Sequence, residues 1–151
     1  MTKNERRQLK TPDTNYFHYH NENPKLNICG DCVIRALATG MNKSWDEVYK
    51  DLYDIGFKKK LMSNDKKVYY QYLKEQGWIQ CKQPRHFDNT KYSGIEFCES
   101  LQKYNTFDGC DITKNIIANV GSHHIIAIIN GKVNDIWNSS NEKIGIYWYK
   151  D

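Results

Sequence analysis

A cysteine, a histidine and an aspartate stand far apart in this chain, in an order that suits acyl chemistry. Cys32 ends the turn-forming run Ile28-Cys29-Gly30-Asp31 and begins the apolar stretch Val33-Ile34-Arg35-Ala36-Leu37-Ala38. That spacing predicts a thiol at the first position of a buried helix, with Asp31 as N-cap. The N-terminal end of a helix carries roughly half a positive charge and free N–H groups, and both favour a thiolate. His123 and His124 follow in Ser122–Ile128, and Asp135 and Asn138 in Val133–Asn138. A thiolate can attack a carbonyl carbon, an imidazole can move the proton, and a carboxylate or amide can hold the ring. The oxyanion formed on attack needs donors. The Cys32 backbone N–H is one, and Asn27 is the best-placed polar side chain upstream for the other, with Asn23 the alternative.

The link between the base and its partner comes from a turn. Asn130-Gly131 is a strong two-residue hairpin signal. Pairing outward from it sets Ile129 opposite Lys132 and His124 opposite Trp137. Asp135 and Ser139 then become diagonal neighbours of His124 on one face. Asp135 ranks first as the orienting group. Asn138 falls at the strand end, where a change of direction could also turn it inward. His123 is expected on the opposite face. Trp137 is expected to pack over His124, and Arg35, one helical turn after Cys32, either pairs with an acid or is solvated.

The elements that must position these groups are legible as periods. The nucleophile helix should run from Asp31 to Thr39 and stop at Gly40. Ser44-Trp45-Asp46-Glu47 reads as a capping box opening a helix through Trp45, Val48, Leu52 and Ile55, closed by Gly56. A third helix is expected over about Asp65–Gln76, a short strand over Trp78–Lys82, and a weaker helix over Ile95–Tyr104. The last third changes to short runs rich in Ile, Val and Tyr: 115–120, 124–129, 132–137 and 144–149. Helices first and antiparallel strands after is an α+β pattern.

The 151 residues fit a single domain over 16–151, large enough to fold without metal or disulfide. Residues 1–15 read as a flexible basic arm. Lys3, Arg6, Arg7 and Lys10 against Glu5 give its first part +3 of the total +4, leaving the body near neutral. That balance argues against a nucleic-acid surface. Five cysteines, an odd number, and no long apolar run lead to an expected reducing cytoplasm, without a disulfide framework and without a membrane. Zinc ligation by Cys29 and Cys32 lacks a second ligand pair, and a redox pair lacks its βαβ setting.

Cys29-Gly30-Asp31-Cys32 before a buried helix resembles the nucleophile segment of papain-like cysteine peptidases, in which the second cysteine attacks. His124-Ile125-Ile126-Ala127 looks like their catalytic histidine entering a strand. Their Asn or Asp on the next strand is matched by Asp135 or Asn138, although Trp137-Asn138-Ser139 is not the usual Asn-Ser-Trp order. Where these enzymes usually have Gln, before the nucleophile, this chain has Leu26. The fuller pattern, Gly30 to Ala36 with a later His, Gly131-Lys132-Val133 and Asp135-x-Trp137, also resembles small phage and prophage proteins of papain-like type.

The resemblance implies a papain-like α+β domain, a nucleophile helix packed on a small antiparallel sheet. It implies thiol-dependent hydrolysis of a peptide, isopeptide or related amide bond, with no metal or organic cofactor. The implied partner is a protein or peptide substrate, a host protein in the host cytoplasm if the chain is phage-encoded. The alternative is a papain-like binding module that blocks a host protein or ligand without turnover; peptidoglycan amide cleavage is a third reading.

Overall fold

The computed structural model describes residues 1–151 and has an α+β fold. Five helices are α1 (Lys3–Leu9), α2 (Cys32–Met41), α3 (Trp45–Lys59), α4 (Lys66–Glu75) and α5 (Gly94–Tyr104). The strands are β1 (Phe17–Tyr19), β2 (Ile79–Cys81), β3 (Thr106–Phe107), β4 (Cys110–Asp111), β5 (Ile116–Val120), β6 (His124–Ile129), β7 (Lys132–Asp135) and β8 (Ile144–Tyr149). Six strands form one sheet in the order β1-β7-β6-β5-β8-β2, and β3 with β4 forms a separate two-stranded ribbon. No helix is long and apolar enough to cross a membrane.

The sheet is mixed, where a purely antiparallel one is expected from the strand pattern. β1 adds to the free edge of β7 in parallel. Phe17 and Tyr19 are buried on either side of exposed His18, so this short segment has an apolar face to place. The Val133 N–H donates to the Tyr16 carbonyl and the His20 N–H to that of Asp135, closing both ends of the pairing. The remaining pairs are antiparallel.

Alternation along the strands builds two apolar layers. Ile116, Ala118, Val120, Ile126, Ile128 and Val133 pack with Phe17, Phe97, Leu101 and Tyr147. Ile117, Ile125 and Trp148 pack with Leu37, Val48, Leu52 and Leu73 from α2, α3 and α4. α2 lies along β6, so the position of its N-terminus is fixed by burial of Val33, Ile34, Ala36 and Leu37.

Several boundaries differ from expectation. Gly40 does not end α2; it lies inside the helix because a Cβ there would stand 2.6 Å from Ile117 Cγ1. Asn42, in the left-handed region, makes the C-cap. Gly56 likewise lies inside α3, where a Cβ would come 2.6 Å from the Leu61 carbonyl oxygen. Within the first 15 residues, expected as a flexible basic arm, Lys3–Leu9 is helical. Thr2 and Glu5 form a full capping box, and Asn4 is buried, accepting from the Tyr19 hydroxyl and the Asn21 amide. α5, the weaker helix by sequence, also carries a full capping box, between Ser93 and Glu96.

Candidate active site

The Asn130-Gly131 turn forms with both residues at positive φ, as a type I′ turn requires. Register follows as expected: Ile129 pairs with Lys132, Ile128 with Val133 and Ala127 with Asn134. The hairpin therefore brings the start of β6 and the end of β7 to the same end of the sheet. His124 Nε2 donates to Asp135 Oδ2 at 2.5 Å. Trp137 lies against the His124 ring, with centroids 4.9 Å apart and planes tilted by 40°.

α2 delivers Cys32 to the same imidazole. Both border one cleft, and with Nε2 committed to Asp135, Nδ1 is the ring nitrogen left for the thiol. Burial of His124 works to lower its pKa, but hydrogen bonds to Asp135 and Cys32 outweigh it and push it up to about 9. The imidazolium is thus the favoured form of His124 at neutral pH. Burial pushes up the other four thiols: Cys98 and Cys110 to about 12, with Cys81 and Cys29 shifted in the same direction.

Asp31 explains how the end of α2 stays open. It occupies the N-cap position yet makes no capping hydrogen bond. Its Oδ1 accepts from Arg35 Nε at 2.7 Å, and its Oδ2 from Asn23 Nδ2 at 3.0 Å and Trp45 Nε1 at 2.9 Å. Burial opposes ionisation of this carboxyl, but the bonds from Asn23, Arg35 and Trp45 hold it below the usual carboxylate range. With the carboxylate turned away, the first N–H groups of α2 remain uncapped beside the thiol.

Arg35 ties the two halves together. Its Nη1 donates to Asp135 Oδ1 at 3.0 Å while its Nε holds Asp31, and the guanidinium is buried. Asp135 accepts further from the Ile136 N–H and the Ser139 hydroxyl, so both of its oxygens are satisfied. The sequence left Arg35 between pairing and solvation; it pairs with two acids, from elements a hundred residues apart.

The polar chain continues upstream. Asn23 receives the Lys25 and Asn27 N–H groups on its Oδ1, and its own N–H donates to Asn21 Oδ1. Asn21 in turn reaches Asn4. Eight polar or charged residues are buried in the protein. Seven of them, Asn4, Asn21, Asn23, Asp31, Arg35, Asp135 and Ser139, belong to this one connected network. The sequence places Asn21 in a polar loop and says nothing of its burial; the Asn21-Glu22-Asn23 run upstream of Cys32 is the signal available.

The other expected residues fall elsewhere. Asn138 Oδ1 accepts from the Ser140 N–H and hydroxyl, stabilising the turn after β7, and makes no bond to His124. Asn27 is exposed, with its backbone held by Asn23 and Asn21 and its side chain unbonded. Asn23 spends its amide on Asp31, so it offers no free donor to an oxyanion. His123 is exposed in the turn before β6 and borders the same cleft as His124, instead of facing away from it.

That cleft has a volume of about 470 Å³ and opens beside Cys32 and His124. Its far wall is polar and was not read from the sequence. Asn119 accepts from the Tyr69 hydroxyl at 3.1 Å and donates to the Tyr70 hydroxyl at 3.0 Å. A lone Asn inside the apolar strand Ile116-Ile117-Ala118-Asn119-Val120 was the signal for it. Compared with protein families, curated proteins and solved structures, the chain has no match in any of the three.

Proposed function

We propose that the chain is a thiol hydrolase of papain-like architecture acting on a peptide, isopeptide or related amide bond. One observation carries this reading: a buried Asp135 holds His124 from behind while Cys32, at an uncapped helix N-terminus, meets the same ring. Dry cores do not need such an arrangement, because each buried charge costs desolvation unless it is paired.

In the proposed reaction the Cys32 thiolate adds to the carbonyl carbon. The developing oxyanion lies against the open N–H groups at the start of α2. His124 gives its proton to the leaving nitrogen, the C–N bond breaks, and a thioester remains on Cys32. Water then adds to the thioester while His124 takes its proton, and the C–S bond breaks to release the carboxylic acid and restore the thiolate beside the imidazolium. Asp135 keeps the ring in register and stabilises the imidazolium. Arg35 fixes Asp135 and, through Asp31, the helix end. No step calls on a metal or organic cofactor.

A second reading, a binding module without turnover, is favoured by one feature. Leu26 is exposed and sits at a φ of 55°, strained for a leucine, next to the unbonded Asn27. An apolar residue presented there suits contact with a partner.

The two separate with an activated ester. p-Nitrophenyl acetate should acetylate Cys32 in a rapid burst, located by peptide mapping. Cys32→Ala should abolish the burst and His124→Ala should slow it at least about a hundredfold. Acetyl groups spread evenly over the thiols, or a burst untouched by His124→Ala, would leave only the binding module.

A further inference from the structure

The cleft beside Cys32 does not end at its own wall. Tyr70 borders it and also borders a second groove of about 690 Å³. The ring is fixed as a ridge between the two. It packs edge-on against Trp148, with centroids 4.9 Å apart, and against Tyr69 at 5.2 Å, while its hydroxyl accepts from Asn119.

The lining of the second groove has one sign of charge. Lys59, from the last turn of α3, and Lys67 and Lys74, from α4, surround Trp78, Gln80 and Gln71, and Lys66 borders the first cleft. No carboxylate borders either space. Two acids near the second groove are committed: Asp65 caps α4 through the Lys67 N–H, and Glu75 accepts from the Gln71 amide, while Glu142 lies beside Gly121 at the far rim of the first cleft. Lys66 and Lys67 also open α4 at its positive end, without an acid in the first turn. Cations there oppose the helix dipole, so folding alone does not reward them.

We propose that this groove is the distal part of the substrate track and takes an acidic stretch of a peptide or protein chain. It rests on the thiol-hydrolase reading for the identity of the chain that crosses Tyr70; the binding itself does not require turnover. An extended strand passing from Cys32 over Tyr70 would place alternate carboxylates along Lys66, Lys67, Lys74 and Lys59. The Trp78 and Tyr70 rings supply apolar contact for the stems of glutamate side chains. A single-stranded nucleic acid would also meet positive charge and rings. The peptide is favoured because the groove leads to a thiol suited to carbonyl attack and because the body as a whole is close to neutral.

The test uses the full chain carrying Cys32→Ala, so that nothing is turned over, and fluorescence anisotropy with three labelled probes: hexaglutamate, hexaglutamine and hexathymidylate. Hexaglutamate should bind about tenfold tighter than hexaglutamine, as three or four exposed ion pairs allow. The triple variant Lys59→Gln, Lys67→Gln, Lys74→Gln should erase that preference. Lys3→Gln, Lys10→Gln, Lys91→Gln, which removes the same charge elsewhere, should keep it. Equal binding of the two peptides, a preference lost equally in both triple variants, or tighter binding of hexathymidylate that depends on the groove lysines would each overturn the proposal. A failed acetylation burst on Cys32 leaves these readings intact, so the two proposals fall separately.

Discussion

The sheet's two apolar layers and the polar seam at the end of the β6–β7 hairpin are built by opposite rules. In the layers, Leu37, Leu52, Phe97 and Ile117 are fully buried and make no polar demands. Their fit is a matter of volume and shape. In the seam, Asp31, Arg35, Asp135 and Ser139 are just as buried, but each depends on a named partner. A layer residue can be trimmed at the expense of a cavity. A seam residue cannot be removed without stranding the charge it held. The lesson is that most of the buried polar groups are gathered in one network, and that network reaches His124 at the cleft.

Breaking the seam should show this most strongly. Arg35→Ala leaves two buried carboxylates facing an empty space and should destabilise the fold by about 3–5 kcal/mol at neutral pH. In denaturant unfolding the loss should shrink as pH falls and Asp31 takes up a proton. Leu37→Ala, in the dry layer on the same helix, should cost about 3 kcal/mol from lost burial and cavity. Its loss should be the same across that pH range. Parallel pH profiles for the two variants would erase the distinction between seam and layer.

A smaller effect comes from His124 itself. Its folded pKa, about 9, lies above the ordinary 6.5. The stability this provides is fully present below pH 6.5 and is lost as pH rises through 9. With allowance for solvent at the cleft mouth it amounts to about 2 kcal/mol. Thermal unfolding should show a fall in stability over that window, absent in His124→Phe. The smallest effect expected is that of Ser139→Ala. It removes one of several donors to Asp135 and should cost about 1 kcal/mol. It should also leave the alkaline limb near pH 9 in place, because the Arg35 and Ile136 bonds to Asp135 remain.

The layers were more legible in the sequence than the seam. Period located α2 to α5 and the last four strands but not α1, and the Asn130-Gly131 turn ranks Asp135 ahead of Asn138 through simple register arithmetic. Local rules failed where tertiary packing decides. Gly40 and Gly56 look like helix ends, yet they are close-approach positions whose neighbours, Ile117 and Leu61, are not visible from the helix itself. The parallel edge strand β1 has only three residues and no turn linking it to β7. Asn4, Asn21 and Asn23 look like solvated loop residues; only the fold shows that they meet one another below the surface. Asn27 is close enough to Cys32 along the chain to suggest a donor, whereas it is exposed in the fold and its backbone is held by Asn21 and Asn23.

The most direct measurement is the rate of iodoacetamide alkylation at each of the five cysteines, followed by peptide mapping from pH 5 to 10, in the wild type and in His124→Ala. If Cys32 is held as a thiolate by His124, it should be alkylated at least about tenfold faster than Cys29, Cys81, Cys98 or Cys110 at pH 6–7. That lead should disappear in His124→Ala, and the wild-type profile should change again near pH 9 as His124 loses its proton. A Cys32 that reacts no faster than exposed Cys29, or whose reactivity is unchanged without His124, would contradict the thiolate–imidazolium pair on which the proposed chemistry stands.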